Sequence, residues 1–230
     1  MTIKLGVPSK GRLMDKTFDW FGSRGIGLRK AGSEREYAGE VTGLAGVELV
    51  LLSAGEIPRE LAAGRLHLGV TGSDLVREKV PNWDSLLRDV NGLGFGGADL
   101  VIAVPQLWVD VDTLDDLDAA AAAFRRTHGF RLRIATKYHR LVREFLRDNG
   151  VADYQLIDSQ GATEGTVKNE TAEAIADITS TGETLRANGL KVLSDGLIHA
   201  SQATLFKSRA ADWSDDDRAA WARIEEMCGL

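Results

Sequence analysis

Short apolar runs alternate with amphipathic segments along the whole of this chain, which restricts it to α/β architectures. "IKLGV" (residues 3–7) reads as a strand, and residues 11–22, carrying Leu13, Phe18 and Phe21, read as a helix. "EYAGEVT" and "VELVLL" flank a Gly-Leu-Ala-Gly turn, which predicts a hairpin over residues 36–52. A helix over 56–63 leads to the strand "LHLGV", and "TGSDL" opens another helix. Glycines between Asn91 and Gly97 suit a crossing between lobes, and "DLVIAV" follows as a buried strand. Helices over 115–128 and 140–149 then alternate with the strands "RLRIAT", "YQLID" and "AEAIADIT". A short helix over 184–188 precedes "LKVLSDGLIHASQATLF", which reads as one long strand or two short ones. Ser214 and Asp217 are spaced as a capping box for a closing helix. No repeat or linker interrupts the pattern. The expectation is two α/β lobes, residues 1–92 with 189–230 and residues 93–188, joined by more than one crossing and enclosing a ligand cleft.

Three segments share one design, a strand running into a turn of small or charged residues at the start of a helix: "VPSKGR" (7–12), "VTGSD" (70–74) and "DITSTGETL" (177–185). Helix N-termini present unpaired N–H groups and a partial positive charge, so they attract anions. In the third segment Gly182 permits close backbone approach, while Ser180, Thr181 and Thr184 add hydroxyl donors suited to a monophosphate. Asp177 would repel a phosphate but suits the hydroxyls of a phosphorylated ribose. A Ser/Thr/Gly turn of this kind also serves simply to cap a helix, so cap and cradle both stand on the residues alone. The Gly-Lys-Ser/Thr ending of a P-loop is missing.

A net charge of −6 argues against general nucleic-acid binding, so any anion site must be a local concentration of cations. Cys228 is the only cysteine, which excludes an intramolecular disulfide and suits a reducing compartment. The first residues lack the apolar core of a signal peptide, and no apolar run approaches the ~20 residues of a membrane span. A cytoplasmic protein is expected. His67, His128, His139 and His199 lie too far apart in sequence to suggest a zinc site.

"DITSTGETL" resembles the 5-phosphoribosyl-1-pyrophosphate (PRPP) loop of the ATP phosphoribosyltransferases, the first enzymes of histidine biosynthesis. "PSKGRL" (8–13) resembles the family's Lys-Gly-Arg turn, "LGVTGSDLV" its Gly-x-x-Gly-x-Asp segment, and "GATEGTVKNETAEAIADITSTGETLRANGLKV" the signature leading into the loop. The resemblance implies two α/β lobes with a central cleft, a periplasmic-binding-protein-like (type II) architecture. It also implies transfer of the phosphoribosyl group of PRPP to N1 of ATP, with release of pyrophosphate. PRPP contacts would come from Glu164, Asp177, Thr179, Ser180, Thr181, Gly182, Glu183 and Thr184, and ATP contacts from Gly11, Arg12, Arg35 and Asp74. Lys10, Arg12 and Arg35 would serve catalysis, since cations are needed where pyrophosphate departs. Mg²⁺ is implied by the substrates, held mainly by their phosphates with no dedicated protein site.

The resemblance is to the short family form, which implies a homodimer within a hetero-oligomer whose regulatory subunit is related to histidyl-tRNA synthetase. The stripe of Trp221, Ile224 and Cys228 either faces such a partner or packs on the first lobe. Ser53, His67 and Glu170 depart from residues common in the family. A binding protein for PRPP or another small solute, without turnover, is the alternative that a two-lobed fold leaves open.

Overall fold

The computed structural model describes residues 2–30, 39–159 and 161–230. The chain divides into two compact units, Met1–Gly97 with Gln202–Leu230, and Ala98–Ser201.

The first unit begins with β1 (Ile3–Pro8), α1 (Gly11–Gly22), β2 (Gly27–Lys30), β3 (Gly39–Thr42), β4 (Val47–Leu52) and α2 (Ile57–Ala62). It continues through β5 (Leu68–Gly72), α3 (Ser73–Lys79), α4 (Trp83–Leu86) and β6 (Leu87–Gly92). The second unit holds β7 (Ala98–Pro105), α5 (Leu114–His128), β8 (Leu132–Thr136), α6 (His139–Asp148), β9 (Tyr154–Asp158), α7 (Gly165–Lys168), β10 (Ala174–Thr179), α8 (Glu183–Ala187) and β11 (Leu190–Ser201). The chain then returns to the first unit as β12 (Ala203–Ser208) and α9 (Asp215–Cys228).

The first sheet has the order β4-β1-β5-β12-β6. Strands β4, β1 and β5 run parallel, and β12 runs antiparallel to both β5 and β6. Parallel strands covered on both faces are apolar nearly throughout, and β1 and β5 bury almost every side chain. The second sheet has the order β11-β7-β10-β8-β9, with β10, β8 and β9 parallel and β7 antiparallel to its neighbours.

Two expectations are corrected. "VELVLL" does not fold back on the preceding segment as a hairpin: β4 pairs in parallel with β1, from Ile3↔Val47 to Pro8↔Leu52, and β3 pairs with β2. Leu49 and Leu51 of β4 bury in the core formed with β1, whereas β3 alternates half-buried and exposed residues. Removing apolar area from water favours the apolar strand alongside buried β1 over a local hairpin. The return to the first unit also falls later than expected. β11 extends to Ser201 along β7 in the second sheet, so the crossings lie at 97/98 and 201/202 rather than near 92 and 188. The segment read as one long or two short strands is two strands, one in each sheet.

The stripe on α9 is core. Trp221, Ile224 and Cys228 are buried against β1, α1 and β4 residues, and burying side chains of this size contributes ~1.5–3 kcal/mol each. Ser214 and Asp217 form the reciprocal capping box, with the Ser214 hydroxyl oxygen accepting from the Asp217 N–H and the Asp217 carboxylate from the Ser214 N–H. No helix among the described residues is long and apolar enough to cross a membrane.

Candidate functional site

In open α/β sheets, ligand-binding turns collect beyond the carboxyl ends of parallel strands. In the second unit, β9, β8 and β10 end side by side, and the loop after β10 lines a cavity of about 310 Å³. Its walls include Glu164, Asp177, Thr179, Ser180, Thr181 and Thr184. The structure therefore brings together most of the residues expected to bind PRPP. Gly182 and Glu183 shape the loop from behind: Gly182 is the N-cap of α8 at φ 71° and Glu183 is its first residue. A side chain at Gly182 would be strained at that φ, and its Cβ would stand 2.9 Å from Nη1 of Arg186.

Two of the loop's hydroxyls serve the turn itself. The Thr179 hydroxyl oxygen accepts from the Gly182 N–H at 2.9 Å, and that of Thr181 accepts from the Glu183 N–H at 3.3 Å. A hydroxyl that accepts still has its own O–H to donate. The Thr184 hydroxyl is exposed in the cavity wall and makes no hydrogen bond to another described residue. Arg186 closes the loop by donating to the Thr181 carbonyl at 3.1 Å.

Asp177 is buried in the second half of β10, after the apolar Ala174, Ile175 and Ala176. One carboxylate oxygen accepts from the Ile178 N–H at 2.8 Å, and the other lies 3.8 Å from Nζ of Lys137. Lys137 was missed in the sequence, although "TKYHR" repeats the strand-turn-helix design at the end of β8. It adds a cation beside the Asp177 carboxylate. Glu164 is positioned by its neighbour Thr163, which is fully buried and accepts from the Ser159 hydroxyl at 3.1 Å. From there the chain turns directly into α7, of which Glu164 is the N-cap.

In the first unit the β1 and β5 ends are adjacent, since Leu5 pairs with Leu68 and Gly6 with Gly69. Lys10, Gly11 and Arg12 follow β1 and are exposed. Gly11 opens α1 at φ 75° with no atom within 4 Å of where a Cβ would stand, so a bound group has room to approach the backbone. Asp74, the second residue of α3, is buried beside the end of β5. Arg35 lies outside the described residues. Among those residues no group of three or more His, Cys, Asp or Glu side chains could hold a metal ion.

The departures at Ser53, His67 and Glu170 have local explanations. Glu56 accepts from both the N–H and the hydroxyl of Ser53, at 3.0 and 2.6 Å, which holds the carboxyl of Glu56 below its ordinary pKa and ties down the start of α2. His67 is buried as a bridge. Its Nδ1 accepts from the Lys4 N–H at 3.1 Å and its Nε2 donates to the Asp212 carbonyl at 3.0 Å. Glu170 sits at φ 56°, in the left-handed region that disfavours residues with a Cβ. Glu170→Gly should therefore stabilise the fold by about 0.5–1 kcal/mol, read as a rise in the urea midpoint at unchanged m-value. The Glu170 carbonyl, which accepts from Arg133 at 3.0 Å, is kept in that variant.

Comparisons with known proteins bear on the family and the fold. The family model "HisG: ATP phosphoribosyltransferase" matches residues 53–228. An ATP phosphoribosyltransferase of Cereibacter sphaeroides is 77% identical over 215 residues, covering 94% of this chain and 91% of that protein. Among solved structures, the ATP phosphoribosyl transferase (HisG:HisZ) complex from Thermotoga maritima matches with a TM-score of 0.72 at 20% identity, over 99% of this chain and 97% of that one. The substrate-binding protein of an amino acid ABC transporter shares the fold at a TM-score of 0.51 and 11% identity, over 100% of this chain and 92% of that one. The architecture is thus the two-lobed α/β fold of type II periplasmic binding proteins. A family model across most of the sequence and a relative at 77% identity show that the chain belongs to the ATP phosphoribosyltransferase family.

Proposed function

We propose that the cavity beneath the Asp177–Leu185 loop holds the ribose 5-phosphate end of PRPP, and that Lys10, Gly11, Arg12, Arg35 and Asp74 serve ATP and the departing pyrophosphate. The observation that carries this reading is the joint wall of Thr181, Thr184 and Asp177: hydroxyl donors for a phosphate stand next to a carboxylate that accepts from ribose hydroxyls. Glu164 on the same wall is a second acceptor for the sugar.

The reaction of the family is transfer of the 5-phosphoribosyl group of PRPP to N1 of ATP, the first step of histidine biosynthesis. Adenine N1 forms a bond to the anomeric carbon as the bond from that carbon to the pyrophosphate oxygen breaks. Negative charge grows on pyrophosphate and positive charge on the ribose ring. Fixed cations at the leaving group lower the barrier because they are already oriented when that charge appears. Lys10 and Arg12 are exposed and present that charge without needing to be desolvated first. Asp177, with Lys137 3.8 Å away, sets a carboxylate where it would stabilise the ribose as it gains positive character.

Glu164 and Asp177 offer hard oxygen donors compatible with Mg²⁺ accompanying the substrate phosphates. When bound, the ion would neutralise pyrophosphate charge. The chain is assigned to the cytoplasm, as a homodimer within a hetero-oligomer with a subunit related to histidyl-tRNA synthetase. The Thermotoga maritima structure is a HisG:HisZ complex, which supports a regulatory partner of the HisZ type.

The test mixes the chain with ATP, PRPP and Mg²⁺, with and without the synthetase-like subunit, and follows the ultraviolet change as adenine N1 is alkylated. Adduct formation is expected. Intact PRPP binding with no adduct under either condition would refute the enzyme reading in favour of a binding protein.

A further inference from the structure

A second concentration of positive charge lies in the first unit, among residues with no part in the reading above. Arg88, Lys207, Arg209 and Arg218 line a cavity of about 550 Å³, together with Ser208, Asp212 and Trp213. Arg88 on β6 and Lys207 on β12 are direct partners in the antiparallel ladder. Like charges placed directly opposite destabilise a sheet, and an anion in the cavity would offset this pairing further than the nearby Glu225 carboxylate does. Arg88, Lys207, Arg209 and Arg218 form no ion pair among the described residues. The net charge of −6 shows that the cluster does not follow from a basic composition.

The cluster is built rather than loosely distributed. The Lys207 ammonium is held over two indoles, 4.3 Å from the Trp213 ring centroid and 4.6 Å from that of Trp221. Trp213 is anchored by donating its indole N–H to the Ser208 carbonyl at 3.1 Å. Burial pushes the Lys207 pKa down, the nearby Glu225 carboxylate opposes that shift, and Arg88 and Arg218 push in the same direction as burial. A bound anion would relieve all three cations.

The register separates this cavity from the Lys10–Arg12 and Gly72–Asp74 turns. Lys207 pairs with Leu68 at the start of β5, and Ala203 pairs with Gly72 at its end. Four residues at ~3.4 Å each place the cavity roughly 14 Å away along the strands, at the opposite edge of that sheet.

We propose that this cavity binds a small phosphate-bearing anion, at a site independent of the ATP and PRPP residues. Arginine forks bind phosphate oxygens in pairs, and the single acid in the wall, Asp212, would accept from a hydroxyl or amino group on the same ligand. The cavity volume falls in the range of small-molecule sites, which favours a metabolite over an acidic protein segment.

The test titrates the full chain with sodium tripolyphosphate by calorimetry, in parallel with Arg88→Gln/Arg218→Gln and Thr181→Ala/Thr184→Ala. The first variant should weaken binding at one site by about tenfold or more, and the second should leave that site intact. With Arg88 and Arg218 removed the chain should melt no lower than the native chain, and Arg88→Gln alone should show the binding loss in part. The basal transfer rate should stay within about twofold, as expected for exposed positions away from the reaction. Native affinity in Arg88→Gln/Arg218→Gln, or no tripolyphosphate bound outside the Thr181/Thr184 loop, would overturn the proposal. Tighter binding of polyglutamate than of tripolyphosphate at the same residues would overturn it in favour of an acidic protein partner.

Discussion

Arg12→Ala should lower kcat by about 100- to 1,000-fold, the range seen when a preorganised charge-stabilising group is removed, while the KM for PRPP changes only a few-fold. The split follows from where the charge acts. Arg12 is the second residue of α1, exposed beyond the end of β1, and the ribose 5-phosphate is assigned to a loop of the other unit. Its guanidinium meets charge that develops only as pyrophosphate leaves, so its loss is felt in the transition state more than in substrate binding. Steady-state kinetics with varied PRPP at saturating ATP reads both constants. An unchanged kcat would remove Arg12 from the leaving-group role, and a KM effect matching the kcat effect would make it a binding residue.

The double variant Thr181→Ala/Thr184→Ala should weaken PRPP binding by about 100-fold or more, since each hydrogen bond to a charged group contributes ~1.5–3 kcal/mol. Folding stability should fall little. The Thr184 hydroxyl makes no hydrogen bond to another described residue, and the Thr181 hydroxyl contributes one acceptor, at 3.3 Å, to an exposed N–H. That contrast separates a cradle from a cap. If the residues only capped α8, stability would fall and affinity would hold. Calorimetric titration with PRPP and a urea melt distinguish the outcomes, and native affinity would sink the loop assignment.

The alternation of strands and helices was legible because each element carries its own apolar pattern, and the candidate loop because its hydroxyls, glycine and acid lie within nine consecutive residues. The capping box at Ser214 and Asp217 was legible for the same reason. Glu170 could be singled out only as a departure from a common glycine. Its backbone at φ 56° supplies the physical reason why glycine suits that position.

What the sequence by itself determined is therefore local: which segments are strands or helices, which turn holds hydroxyls and a carboxylate, and which turn carries Lys10 and Arg12. Tertiary structure alone decided that β4 lies beside β1 instead of folding back on β3. It alone set Lys137 against Asp177, forty residues on, used His67 to bridge β1 and the approach to α9, and placed Arg88 opposite Lys207. Those outcomes depend on strand partner and register, chosen by which apolar faces bury together over long sequence separations. No window of neighbouring residues contains that information.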